Sequence, residues 1–142
     1  LDMAGNVGTQ SLAVTIRVLM DEQVTAKEKW ALVRKEMKVG LCNGLLLGSL
    51  SFLAIGVYLW LFRGTTPYYS FCVSGCVSIA LILAMVISSL SGTVIPIFFH
   101  KIKVDPAVAS GPLITTIDDL VAVVTYYGLA WILLIDVLHL GG

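Results

Sequence analysis

Two adjacent carboxylates, Asp118 and Asp119, lie well inside the apolar run SGPLITTIDDLVAVVTYYGLAWILLIDV, Ser110 to Val137. Hydrocarbon is a costly place for charge: a carboxylate at mid-bilayer costs on the order of 3 kcal/mol on insertion scales. A chain that keeps one there must give it a partner or a watery cavity. Asp119 follows Pro112 by seven residues, which is about 10 Å along a helix rising about 1.5 Å per residue. At helical spacing Pro112, Thr115, Asp119, Ala122 and Tyr126 fall on one face. Asp118 is rotated away by about 100°, so at most one of the pair points straight into a central pore. Thr115, one turn before Asp119, adds an oxygen on the same face and favours Asp119 for that role. Asp118 either attracts cations or pairs with another helix, and spacing does not choose between these.

A second set of oxygens stands near the start of the chain, in AGNVGTQSLAVTIR. Asn6, Thr9, Gln10 and Ala13 share a helical face, while Ala4 and Gly8 form the small-xxx-small pair that lets helices pack closely in lipid. Asn6 precedes Arg17 by eleven residues, about 16 Å of helical rise. Asp119 reaches a comparable depth from the same side, so two antiparallel helices would bring amide and carboxylate oxygens to one level. Oxygen-only donors suit hard cations such as Mg²⁺ or Ca²⁺. Mg²⁺ gives up water reluctantly and keeps several waters around one or two carboxylates. One aspartate per chain is too few to cage it, and a two-fold dimer supplies two. The plainer alternative is that both aspartates only hydrogen-bond neighbouring helices.

The elements that would carry these groups follow from composition. Of 142 residues, 58% are hydrophobic and 13% charged, with a mean hydropathy of +0.94. Soluble domains run near half apolar and a quarter charged. A bilayer is therefore the expected solvent, and the fold class is an all-α membrane protein, a polytopic helix bundle. The zero formal charge gives no reason to expect nucleic acid. Cys42, Cys72 and Cys76 lie in apolar runs without CxxC spacing and read as packing residues.

A span needs about 20 apolar residues to cross a core about 30 Å thick. Residues 39–62 and 68–99 meet this, the second with a kink or tilt expected near Gly92 and Pro96. A last span covers 106–138, with Pro112 near the start of its apolar part. Residues 1–20 read as the latter half of another span, and 21–38 as a charged amphipathic connection on the membrane surface. The opening residues, LDMAGNVGTQ, read as the middle of a longer membrane protein. Arg17, Lys27, Lys29, Arg34, Lys35 and Lys38 flank the first connection, and Lys101 and Lys103 lie in the third. Short cytoplasmic loops collect Lys and Arg, so 21–38 and 100–105 are expected in the cytoplasm. Residues 63–67 and the C-terminus are then exterior.

GNVGTQSLAVTIR and DPAVASGPLITTIDDLVAVVTYYGLA together resemble the two signature segments of MgtE-type magnesium channels and their eukaryotic solute-carrier relatives. The resemblance extends over essentially the whole chain. It implies a five-span subunit of a homodimer in the cell membrane, here without the first span and part of the second, with the pore at the dimer interface. It also implies that the second and fifth helices line that pore and that Asp119 gathers hydrated Mg²⁺. Thr115 would contribute near the same ion, Asn6 would belong to the second-helix motif, and Asp105 would stand at the cytoplasmic mouth. For Asp105 a helix-start acid is an equal reading. The family commonly carries an upstream Mg²⁺-sensing region with paired CBS modules.

The expected function is thus a Mg²⁺ channel, not an enzyme, with selectivity over Mn²⁺, Co²⁺ and Ca²⁺ left open. A secondary Mg²⁺ transporter coupled to Na⁺ or H⁺ is the main alternative, since such carriers also use midplane carboxylates. An intramembrane aspartyl protease needs two aspartates on different helices sharing a proton, which the divergent Asp118 and Asp119 do not supply. A structural membrane subunit is a further rival. His100 and His139 fall on opposite sides of the membrane in this topology, and Asp136 near the outer mouth.

Overall fold

A computed structural model of the chain describes residues 2–132. Within them run four helices and no strand: α1 (Asp2–Leu19), α2 (Ala26–Phe62), α3 (Pro67–Lys101) and α4 (Pro106–Ala130). The ends of the helices are written locally. Thr25 caps α2 in a capping box: its backbone N–H donates to Glu28 Oε2 at 2.8 Å and its hydroxyl accepts from Glu28 N. Thr66 caps α3, and Asp105 caps α4. Each of these two is followed by a proline at the first helical position, where a missing N–H costs nothing. Between α2 and α3, Gly64 takes the left-handed φ of +65° that closes the turn.

Short connections make successive helices antiparallel. α3 occupies the centre and packs against the other three; α1 and α4 also touch, while α2 barely reaches α1. Among the described residues three helices are long and apolar enough to cross a membrane: α2, α3 and Gly111–Ala130 of α4. With 37 residues, α2 is about 55 Å long and outreaches a core of about 30 Å.

That length changes one expectation. The sequence divides a surface connection, 21–38, from a span beginning at Val39, but no break falls there. Residues 26–38 are the first turns of α2. Leu32, Val33 and Glu36 turn inward, and Trp30 turns outward. Likewise α4 begins at Pro106, so Pro112 lies inside the helix and removes the helical donor to the Val108 carbonyl. α3 continues through Gly92 and Pro96.

The α2–α3 contact is built from small residues. Gly40, Gly44 and Gly48 recur every fourth position, hence on one face, and are buried. A Cβ at Gly44 would lie 3.1 Å from the Ile82 Cα, so the two backbones pass close together. α3 answers with Ser89 at Gly40, Ile82 at Gly44 and the Ser78 backbone at Gly48, and further along the buried Ser74 hydroxyl donates to the Phe52 carbonyl of α2. In lipid, where apolar surface gains little by leaving its solvent, such close packing and interhelical hydrogen bonds hold helices together. The apolar core proper, Ala4, Val7, Leu81, Ala84, Met85 and Ala122, lies where α1, α3 and α4 meet.

Candidate functional site on the α1–α4 face

The two adjacent aspartates have opposite surroundings. Ile114, Asp118 and Ala122 recur every fourth residue and form the buried stripe of α4. Asp118 is 3% exposed. Its Oδ2 accepts from the Ser88 hydroxyl of α3 at 2.7 Å, and Gly8 of α1 closes the junction. A Cβ at Gly8 would lie 2.5 Å from both Asp118 Oδ2 and Ser88 Oγ. Only glycine leaves room for that hydrogen bond. Ser88 Oγ also reaches the Ala4 carbonyl, so two acceptors share one hydroxyl proton. Asp118 Oδ1 is buried without a hydrogen-bond partner.

Asp119, a helical step further round, is exposed. So are Thr115 and Thr116 on α4, and Asn6, Thr9, Gln10 and Ala13 on α1. Gly8 meets both Asp118 and Ile114, which fixes the register of the antiparallel α1–α4 pair. Asn6 and Thr9 flank Gly8 in sequence as Asp119 flanks Asp118, so all three stand near one level. The hydroxyls are oriented by their own helices. Thr115 donates to Gly111 O at 3.2 Å, Thr116 to Pro112 O at 2.9 Å, and Thr9 to the Gly5 and Asn6 carbonyls at 3.0 Å. With its proton turned to the backbone, a hydroxyl keeps lone pairs for another group. The exposed face therefore presents oxygen acceptors around one carboxylate, on helices whose other exposed residues include Leu113, Leu120 and Val123.

The expected face of α4 is corrected at two positions: Tyr126, half-buried four residues after Ala122, lines a cavity with Met3, Ser51, Ile55, Val77 and Leu81 and does not stand beside Asp119. Ala122 belongs with Asp118 on the buried stripe, 3% exposed, and not with Asp119. Asp105 is separated from Asp119 by fourteen residues, about 21 Å of helix. Its Oδ1 accepts from Ala107 N at 3.0 Å, the helix-start arrangement. No group of three or more His, Cys, Asp or Glu close enough to hold a metal occurs among the described residues. Asp136 and His139 lie outside the described residues, as does the end of the last span. Cys42, Cys72 and Cys76 are free thiols.

A second buried carboxylate was not legible as such. Glu36 of α2 is 5% exposed. Its Oε2 accepts from Ser11 of α1 at 2.9 Å, Ser11 lies 3.2 Å from the Ser89 hydroxyl of α3, and Ser89 donates to the Glu36 carbonyl. Three helices meet in this ring. Its trace in the sequence is the SS pair at 88–89, in which one hydroxyl serves the Asp118 carboxylate of α4 and the next the Glu36 backbone carbonyl of α2.

Known proteins resemble this chain over most of its length. A family model described as MgtE, divalent cation transporter, matches residues 1–129. The chain is 40% identical over 128 residues to the magnesium transporter MgtE of Bacillus subtilis, covering 90% of this chain and 26% of that protein. To the magnesium transporter MgtE of Enterococcus faecalis it is 34% identical over 127 residues, 89% of this chain and 26% of the relative. The corresponding protein of Thermus thermophilus is 32% identical over 134 residues, 94% of this chain and 28% of the relative. The chain thus spans about a quarter of the length of these relatives.

Proposed function

The chain belongs to the MgtE family of divalent cation transporters, a family of ion transporters and not of enzymes, and on that footing we propose that it conducts hydrated Mg²⁺ through a pore between two copies. The observation that carries this reading is the exposed polar face. Asp119, Thr115, Asn6, Thr9 and Gln10 are all uncovered on two helices of an apolar protein. Facing lipid, the carboxylate alone would cost on the order of 3 kcal/mol. Facing the same surface of a second copy, with water between, it costs far less and serves a purpose.

In this reading α1 and α4 of both copies line the conduit. Each Asp119 draws the cation, and two negative charges across a two-fold axis balance one Mg²⁺. The ion keeps its inner waters, as its slow dehydration demands. Thr115 and Asn6 accept hydrogen bonds from those waters with the lone pairs that face outward. Asp118 positions rather than binds: tied to Ser88 and wedged by Gly8, it fixes the rotation of α4 that turns Asp119 outward. Asp105 stands at the cytoplasmic mouth, where the upstream Mg²⁺-sensing region of a longer chain would dock.

A coupled carrier is the second reading. What favours it is Asp118 Oδ1, a buried carboxylate oxygen with no partner, available to a coupling ion. Planar-bilayer recordings in symmetrical Mg²⁺ separate the two. Unitary currents that vanish in Asp119→Asn support the channel. Sodium- or proton-dependent flux without unitary events contradicts it.

A further inference from the structure

Away from the α1–α4 face, α2 and α3 enclose a groove of about 410 Å³ at the Lys/Arg-rich end of the bundle, lined by Ala26, Lys29, Trp30, Val33, Val94, Ile97 and Lys101. We propose that this groove binds an anionic glycerophospholipid, with an acyl chain on its floor and the phosphate between Lys29 and Lys101. The floor is apolar: Ala26, Val33, Val94 and Ile97 offer neither donor nor acceptor. Each wall contributes one ammonium group, and neither lysine has an ion-pair partner among the described residues. The nearest acid in sequence, Glu28, is already engaged in the cap of α2, accepting from Thr25 N at 2.8 Å.

The position fits a lipid and no soluble anion. The level of Val94 to Lys101 is where the apolar stretch of α3 gives way to His100 and Lys101, the depth of headgroups. Trp30 is 68% exposed beside the groove, and an indole at that depth is the usual interfacial anchor. Free phosphate would satisfy the rim and leave the floor bare to water, whereas an acyl chain covers it. A zwitterionic lipid brings its own cation to the phosphate and makes poorer use of two lysines. Basic pockets between spanning helices recognise anionic headgroups in this way.

Each lysine near a headgroup contributes about fivefold in affinity, so the pair contributes about 25-fold. The test is native mass spectrometry of the full-length protein with equal phosphatidylglycerol and phosphatidylcholine of matched chains. Wild type should retain phosphatidylglycerol preferentially, and Lys29→Ala/Lys101→Ala should lose that preference by about 25-fold. Lys27→Ala/Lys103→Ala, outside the groove, should keep it. No preference in wild type, or equal loss in both pairs, overturns the site. A photoreactive benzoylphenylalanine at Trp30 gives the complementary reading. A phospholipid adduct is expected; a polypeptide adduct in its place would assign the groove to a protein segment and contradict the proposal.

Discussion

Gly8→Ala places a methyl group in the tight junction where α1 meets α3 and α4. The new Cβ would stand 2.5 Å from Asp118 Oδ2 and Ser88 Oγ, and 3.1 Å from Ile114 Cγ2. Ordinary contact begins near 3.4 Å, so α1 and its neighbours must separate by about 0.9 Å, or the Ser88–Asp118 hydrogen bond must break. Overpacking of this kind costs about 1–3 kcal/mol. Loss of the hydrogen bond leaves a carboxyl whose Oδ1 is already unpartnered with nothing on either oxygen, a further penalty of about 1–3 kcal/mol. Separation alone thus costs about 1–3 kcal/mol, and with the hydrogen bond also lost the total is about 2–6 kcal/mol, a fall of more than about 30-fold in the folding equilibrium. Thermal unfolding in detergent, read alongside Mg²⁺ uptake in proteoliposomes, measures both stability and function. The cause is isolated by a double-mutant cycle: Gly8→Ala combined with Asp118→Ala should cost clearly less than the sum of the two, because one of the two clashing oxygens is gone and the other, Ser88 Oγ, no longer has a carboxylate to hold it there. A wild-type unfolding midpoint for Gly8→Ala, or strict additivity in the cycle, would refute the reasoning.

Two further predictions concern the other polar ties. Glu36→Ala removes the carboxylate that accepts from Ser11, leaves that hydroxyl only the longer contact to Ser89, and should destabilise by about 1–3 kcal/mol, whereas Glu36→Gln keeps an acceptor for Ser11 and should unfold within about 1 kcal/mol of wild type; equal midpoints for the two variants would sink the assignment. Thr25→Ala removes the capping box of α2 and should cost about 0.5–2 kcal/mol without changing the concentration dependence of Mg²⁺ uptake, which a titration of external Mg²⁺ checks.

Much of the architecture is written in the sequence because the bilayer constrains it so strongly. Apolar runs of sufficient length announce the spanning helices, and the Thr-Pro and Asp-Pro pairs at 66–67 and 105–106 announce where α3 and α4 start. The division at Lys38 misleads for a physical reason. Hydropathy reports solvent, and the solvent changes along α2 while its backbone hydrogen bonds do not. The exposure of Asp119 was accessible from the 100° step between neighbours, since Thr115 lay on its side. Ala122 was placed on the wrong face because four-residue spacing from Asp118 competes with three-residue spacing from Asp119, and burial decides for the former. Glu36 was hidden among charged neighbours in KEKWALVRKEMK, where a buried acid looks like any other surface charge. Ser11 and Ser89 mark it only once the helices are paired. The Gly40–Gly44–Gly48 stripe was open to view, but only a partner helix gives it meaning.

In the proposed pore the uncovered carboxylate meets the ion while its buried neighbour holds the helix in place. Uptake of Mg²⁺ into proteoliposomes, compared at matched reconstitution for wild type, Asp119→Asn and Asp118→Asn, tests it most directly. Asp119→Asn should lower the initial rate by more than about tenfold, equivalent to about 1.4 kcal/mol, and Asp118→Asn should have the smaller effect. A wild-type rate in Asp119→Asn, or a deeper loss in Asp118→Asn, would contradict it.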